Sequence, residues 1–291
     1  MLELSVDVTY VCPFSCPFCS SAQTMLPAGL NMELETASKC LSFARTVFGN
    51  GQVLVTATGG EPLTLKTLPL IVSLWTKNHA RVRLCTTAAV PLEKGYWRFL
   101  YSCGIKTVHL SLPCISDEHC KTIFGEMYRF AVVNKNIDEM INAGIEISVN
   151  FLLTRLSAQH FADVLDYCHE KGIQKVRILG LARQGKSVSN WSRIAVSRDD
   201  ADRFIKRTHK LWHDYPIRME FAGLPNYEIC THMDNDGNCL GGKSFFHINT
   251  NGDIYPCPSV KSIKANRLGS IFQVEKFEAS DEFFCEITRQ E

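Results

Sequence analysis

Cys12-Pro13-Phe14-Ser15-Cys16-Pro17-Phe18-Cys19 packs three cysteines into eight residues, directly after an alternating apolar run over 2–10. Thiolates at this spacing, on a loop leaving a strand, can hold three irons of a cubane cluster. Iron–sulfur clusters normally take four thiolates, and no fourth cysteine lies close by in sequence. Such a loop leaves one iron open to a ligand that is not protein, and an open coordination position is where chemistry happens. A zinc loop and one half of a disulfide framework are the competing readings.

The spacing, with aromatic Phe18 just before the third cysteine, resembles the C-x3-C-x2-C signature of the radical S-adenosylmethionine (radical SAM) enzymes. The resemblance implies a [4Fe–4S] cluster on Cys12, Cys16 and Cys19 whose open iron takes the amino and carboxylate groups of SAM. It also implies reductive cleavage of SAM to a 5′-deoxyadenosyl radical, with an electron donor such as flavodoxin or ferredoxin.

The chain has 291 residues, enough for one large or two modest domains. A formal charge of +1 gives no electrostatic case for nucleic acid or for an anionic membrane. The start, Met1-Leu-Glu-Leu-Ser-Val-Asp, does not read as a signal peptide, and no apolar run approaches the roughly 20 residues that span a bilayer. A cytoplasmic setting is therefore expected. There, thirteen cysteines favour metal ligation over disulfides.

The first two-thirds alternate strand and helix signals. Strands are expected at 2–9, 52–58, 81–87, 106–112, 145–153 and 176–181. Helices are expected after Asn31 as cap, over 68–78, up to Gly104, over 132–143, from Ser157 to 171, and over 199–212. Six βα units argue a parallel sheet covered by helices. Radical SAM enzymes carry such a partial, TIM-like (β/α)6 barrel, so pattern and resemblance agree. Residues 1–215 are assigned to it. Sites on barrels of this kind gather at the C-terminal ends of the strands.

Thr58-Gly59-Gly60-Glu61 leaves the second strand, about forty residues after the cysteine loop. Two glycines let backbone approach a ligand closely, and Glu61 is an acceptor for an ammonium group. In the resembled family a matching Gly-Gly-Glu segment binds the methionyl amine of SAM. Other strand exits supply candidates for the rest of that cofactor: Ser111, Asn150, Arg155 and Arg183, with Ile178, Leu179 or Leu181 against adenine. Loop polarity and core packing are the plain alternatives for these positions.

From about Pro216 the pattern changes to short strands, turns and cysteines. Strands at 245–248 and 253–255, joined by Asn249-Thr250-Asn251-Gly252, read as a hairpin. It brings the flanking Cys239 and Cys257 close together. The segment resembles the C-x9–15-G-x4-C opening of SPASM and twitch extensions, which hold auxiliary clusters. By that resemblance residues 216–291 form a small, cysteine-rich twitch domain. It carries one auxiliary [4Fe–4S] cluster on Cys230, Cys239, Cys257 and Cys285. A packed helical cysteine is the alternative for Cys285, and its loss would leave an open auxiliary iron.

Cys40, Cys85, Cys103, Cys114, Cys120 and Cys168 read as core fillers. Cys114, just past the fourth strand, is the best-placed candidate for donating a hydrogen atom to a substrate radical. His109, His119, His160, His169 and His247 show no zinc spacing. The function expected is hydrogen abstraction from a small-metabolite or natural-product precursor, giving oxidation or epimerisation. A peptide maturase that cross-links or epimerises its substrate is the second reading, and a non-catalytic iron–sulfur regulator the third.

Overall fold

The computed structural model describes residues 1–21, 30–224, 239–277 and 279. Cys230 and Cys285 lie outside the described residues. β1 (Leu2–Thr9) leads into α1 (Leu34–Phe48), β2 (Val53–Gly59), α2 (Leu68–Lys77), β3 (Arg81–Thr86), α3 (Tyr96–Cys103) and β4 (Ile105–Ser111). Then follow α4 (Asp117–Phe124), α5 (Phe130–Asn142), β5 (Glu146–Leu152), α6 (Phe161–Glu170), β6 (Lys175–Leu179), α7 (Lys186–Ile194) and α8 (Arg198–Leu211). The chain continues with β7 (Arg218–Ala222), β8 (Phe245–Ile248), β9 (Asp253–Tyr255) and β10 (Gly269–Ser270).

All strands join one sheet in the order β10-β9-β8-β1-β2-β3-β4-β5-β6-β7. β1 to β7 pair in parallel, each with the next, in a single sheet whose end strands, β7 and β10, do not pair with each other: a partial barrel. β7 follows Pro216 in sequence yet extends the parallel sheet by pairing with β6. β8 also runs parallel, against β1; β9 is antiparallel to β8, and β10, antiparallel to β9, resumes the common direction. Aromatic side chains fasten this hairpin to the barrel: Phe246 meets Phe43 of α1 with ring centroids 5.8 Å apart.

Parallel strands under helices are usually apolar on both faces. Here they alternate. Leu4, Val6 and Val8 of β1, Val82 and Leu84 of β3, and Val149 and Phe151 of β5 join the core beneath the helices. The intervening residues, among them Asp7, Arg83, Asn150 and Arg177, face the other way, and the registers align them across neighbouring strands. The barrel interior is therefore polar.

Three expectations need correction. Asn31 does not cap α1: Glu33 occupies that position, and Asn31 Oδ1 instead accepts a hydrogen bond from Thr9 Oγ1 at 2.6 Å. Ser157 precedes a short 3-10 turn, and α6 proper starts at Phe161. Two helices, α4 and α7, occupy stretches that read as loop. α4 has only 8 residues, too short for a periodic pattern to stand out, but Ser116 accepts from the His119 amide as its N-cap.

Candidate functional site

Cys12, Cys16 and Cys19 leave β1 on a loop braced from three sides. Ser15 N donates to Phe124 O at 2.8 Å, and Phe14 and Phe18 meet the Phe124 ring edge-on, with centroids 6.3 and 6.2 Å away. From the other side the start of α7 docks: Lys186 N donates to Cys19 O at 2.9 Å, and Asn190 Nδ2 to Pro17 O at 3.2 Å. Gly185 is required there, since a Cβ on it would lie 2.3 Å from Cys19 O, at a φ of +57°. The two helices missed in the sequence are thus the braces of the cysteine loop.

The third brace is the Gly59-Gly60-Glu61 segment. Gly60 N donates to Thr9 O at 2.6 Å, and Glu61 N to Val11 O at 2.9 Å. A Cβ on Gly59 would sit 2.2 Å from Thr9 O, and one on Gly60 2.4 Å from Val11 O. The glycines bring backbone against the strand exit that carries Cys12. Glu61 is buried, 1% exposed. Its carboxylate accepts from Leu63 N, Thr86 Oγ1, Thr87 N (2.9 Å) and Thr87 Oγ1 (2.7 Å). Burial still pushes its pKa above the ordinary carboxylate range, against the pull of those donors. A buried carboxylate whose charge is undercompensated suits a cationic ligand. Thr86 and Thr87, which hold it, carried no signal in the sequence.

These groups line one cavity of about 330 Å³ at the C-terminal ends of the strands, within the usual range for small-molecule sites. Its wall includes the three cysteines, Thr58 to Glu61, Ser111, Leu179, Leu181 and Gln184. Gln184 Oε1 is buried with no hydrogen-bond partner among the described residues, an acceptor awaiting a donor. Ile178 instead belongs to the core, Arg155 bonds Ser192 O and the Ile194 carbonyl, and Arg183 lies over the Trp191 ring. Asn150 lines the adjoining interior cavity. Cys114 is fully buried with its sulfur bonded to Cys120, so it has no S–H to donate. Besides the three loop cysteines, the thiol that lines the cavity is Cys85, expected in the core.

As bare thiols, Cys12 and Cys16 are driven up by burial and then by their neighbours, Cys12 to about 11. Keeping thiolates here requires bound positive charge, as iron supplies. Among the described residues no three His, Cys, Asp or Glu side chains converge on a single metal ion. Three thiols on one loop, with no fourth protein ligand beside them among the described residues, suit a cluster that takes one thiolate per iron. The donor set and the unpartnered Gln184 oxygen thus fit a cluster with an organic ligand.

On the rear hairpin Cys239 Sγ accepts from Gly241 N at 3.3 Å and Cys257 Sγ from Ser259 N at 3.4 Å. Cys257 packs with Phe245 and Val260 at the end of β8 farthest from the front loop. Just beyond it Lys261, only 4% exposed in its side chain, enters the barrel and donates to Asp7 Oδ2 at 2.8 Å and to Ser21 Oγ at 2.9 Å. Ser21 in turn donates to Gly59 O. His247 completes the group, 3.2 Å from Asp7 Oδ2 and 3.3 Å from Ser5 Oγ. A carboxylate only accepts, so His247 carries its proton on Nε2 and accepts from Ser5 on Nδ1. None of Asp7, Ser21 or Lys261 stood out in the sequence.

The fold and this site define a radical-generating class of enzyme, and the comparisons agree. The radical SAM superfamily model matches residues 6–184. The chain belongs to the radical SAM superfamily and is an enzyme of that class. Curated relatives include a PqqA peptide cyclase of Granulibacter bethesdensis, 20% identical over 93% of this chain and 71% of its own. Another, from Methylocella silvestris, is 24% identical over 89% and 68%. Among solved structures, Streptococcus suis SuiB bound to precursor peptide SuiA superposes with a TM-score of 0.75 at 17% identity. That match covers 96% of this chain and 65% of SuiB, so the chain spans less than two thirds of that protein's length. Native anSMEcpe with bound AdoMet gives a TM-score of 0.75 at 18% identity, covering 98% and 83%. At these identities the structures speak for the fold. Among the described residues no helix is long and apolar enough to cross a membrane.

Proposed function

We propose that the chain is a radical SAM maturase acting on a peptide, with Cys12, Cys16 and Cys19 holding the [4Fe–4S] cluster. The observation carrying the first part is the single cavity in which those cysteines meet Glu61, Ser111, Leu179 and Gln184. The relatives support the peptide. The short chain favours a small metabolite, but the curated relatives that align with 93% and 89% of it are named peptide cyclases.

Held by Cys12, Cys16 and Cys19, the cluster with SAM would supply the radical chemistry needed to remove a hydrogen atom from the substrate. The chain's own residues position and shield. Glu61 takes the ammonium of SAM, its carboxylate aimed by Thr86 and Thr87. Ser111 and Gln184 offer polar contacts to the rest of the cofactor, and Leu179 and Leu181 an apolar wall for the adenine. Phe14, Phe18 and Phe124 close off water on the far side of the loop. Cys239 and Cys257, with Cys230 and Cys285 outside the described residues, would hold an auxiliary cluster, which would supply an electron acceptor for an oxidation.

The test is anaerobic incubation of the reconstituted protein, SAM and dithionite with candidate precursor peptides, in deuterated water. Mass spectrometry then reads a loss of two hydrogens for cross-linking, or uptake of one deuterium for epimerisation. An unchanged peptide, while SAM is consumed in the presence of a small metabolite, contradicts the peptide reading.

A further inference from the structure

Below the thiol cavity a second one, of about 280 Å³, occupies the polar interior of the barrel. The two share Ser21, Thr58, Gly59 and Cys85, so they adjoin where the cofactor is proposed to lie. Its floor reaches Pro258 and Phe245 beside the rear cysteine, so it lies between the front loop and the hairpin.

Three cations enter this chamber: Arg83, Arg177 and Lys261. Arg83 is paired with Glu3 at 2.6 Å and Lys261 with Asp7 at 2.8 Å. Arg177 is served worst. Its nearest carboxylate, Glu220, is 3.9 Å away and is held at 3.0 Å by both Lys175 and Arg218. Five cationic side chains thus share three carboxylates, and Arg177 sits deepest among those left over, 13% exposed in its side chain. Desolvation lowers its pKa, the sign of a charge lacking compensation.

The hydrogen bonding shows the same surplus. Arg83 Nη1 lies 3.2 Å from His109 Nε2, and Arg177 Nη1 lies 3.0 Å from His109 Nδ1. Guanidinium nitrogens only donate, whereas a neutral imidazole accepts at one nitrogen and donates at the other. One of the two arginines therefore faces an N–H. Protonating the ring worsens both contacts. Arg177 also reaches Asn150 Oδ1, at 3.3 Å, which leaves the shortage of acceptors in place.

The geometry points to this chamber as a binding site for a carboxylate of the substrate. A carboxylate brings one negative charge and two acceptor oxygens, matching a guanidinium fork. The inference rests on the peptide reading for its source: an unmodified peptide offers no other anion, so the group is an acidic side chain or a chain terminus. Held there, it brings the neighbouring carbon–hydrogen bonds up to the shared wall of the two cavities.

The reconstituted full-length protein with SAM is titrated by calorimetry with N-acetyl-L-glutamate N-methylamide, its glutamine counterpart, and free glutamate. The capped glutamate binds at least tenfold more tightly than the glutamine compound. Arg177→Gln abolishes that preference with iron content unchanged, and Arg177→Lys keeps part of it. Equal binding of the two capped compounds, no binding of any carboxylate, or an undiminished preference in iron-replete Arg177→Gln overturns the proposal. If free glutamate binds and the capped one does not, the carboxylate site stands and the peptide reading fails. A peptide that binds equally well with and without its acidic residue leaves the peptide reading and removes the site.

Discussion

Replacing Lys261 by Met keeps the length of the stem and removes only the ammonium. In the wild-type chain that ammonium neutralises Asp7, whose side chain is 0% exposed. Burial alone raises the Asp7 pKa, but Lys261 and then His247 outweigh it and hold the carboxyl well below its usual range. Without Lys261 the side chain left bonded to Asp7 among the described residues is His247, itself neutral because burial lowers its pKa. Breaking a buried pair by removing one partner costs about 3–5 kcal/mol, and roughly 2 °C of Tm per kcal/mol in a chain of this size. The expected loss is therefore roughly 6–10 °C, measured by anaerobic thermal scanning of the reconstituted protein at pH 8. Lys264→Met, a change at an exposed neighbour, serves as control. Asp7→Asn combined with Lys261→Met recovers at least half the loss, because no uncompensated charge remains. A single-mutant loss under about 2 °C, or a double mutant no better than the single, refutes the reasoning.

Gly60→Ala places a Cβ 2.4 Å from Val11 O and 2.9 Å from the Tyr10 carbonyl carbon, all backbone, so the exit of β1 has to move. The protein stays folded by circular dichroism while front-site iron falls by half or more. Glu61→Gln sets an amide among the donors from Thr86 and Thr87 and removes the charge that faces the ammonium of SAM. Loss of a charge-assisted hydrogen bond is worth about 1.5–3 kcal/mol, so SAM binding weakens roughly 10- to 100-fold in equilibrium titration. His247 has a folded pKa below its unfolded value of 6.5, so the unfolded chain takes up its proton first. Stability therefore falls as pH drops below about 6.5. Asp7 adds a second loss below about 4, where the unfolded carboxyl protonates before the folded one. His247→Gln flattens the first of these slopes, read as unfolding midpoint against pH, and leaves the second.

The sequence shows its chemistry most clearly where function forces rare spacings. Three cysteines in eight residues and Gly-Gly-Glu at the next strand exit are legible because few folds need them. The six βα units are legible because their helix-facing side is strictly apolar, as at Leu4, Val6 and Val8. What escaped is whatever depends on contacts distant in sequence. Lys261 meets Asp7 across 254 positions and Asn190 meets Pro17 across 173, and no local pattern announces either. α4 escaped because its apolar residues, Cys120, Ile123 and Phe124, make too brief a stripe. Cys85 reads as core because its strand alternates about a buried face, but it lies on the opposite, inner one. Cys114 follows β4 closely in sequence, yet it is buried in the core and bonded to Cys120.

The central claim is that Cys12, Cys16 and Cys19 together carry SAM cleavage. Its most direct measurement is 5′-deoxyadenosine formed by the anaerobically reconstituted chain with SAM and dithionite, compared with the Cys12→Ala, Cys16→Ala and Cys19→Ala variants. The account predicts 5′-deoxyadenosine from the wild-type chain and none above background from any of the three variants. A wild-type chain replete in iron and sulfide that yields no 5′-deoxyadenosine contradicts it, as does a variant that yields as much as wild type.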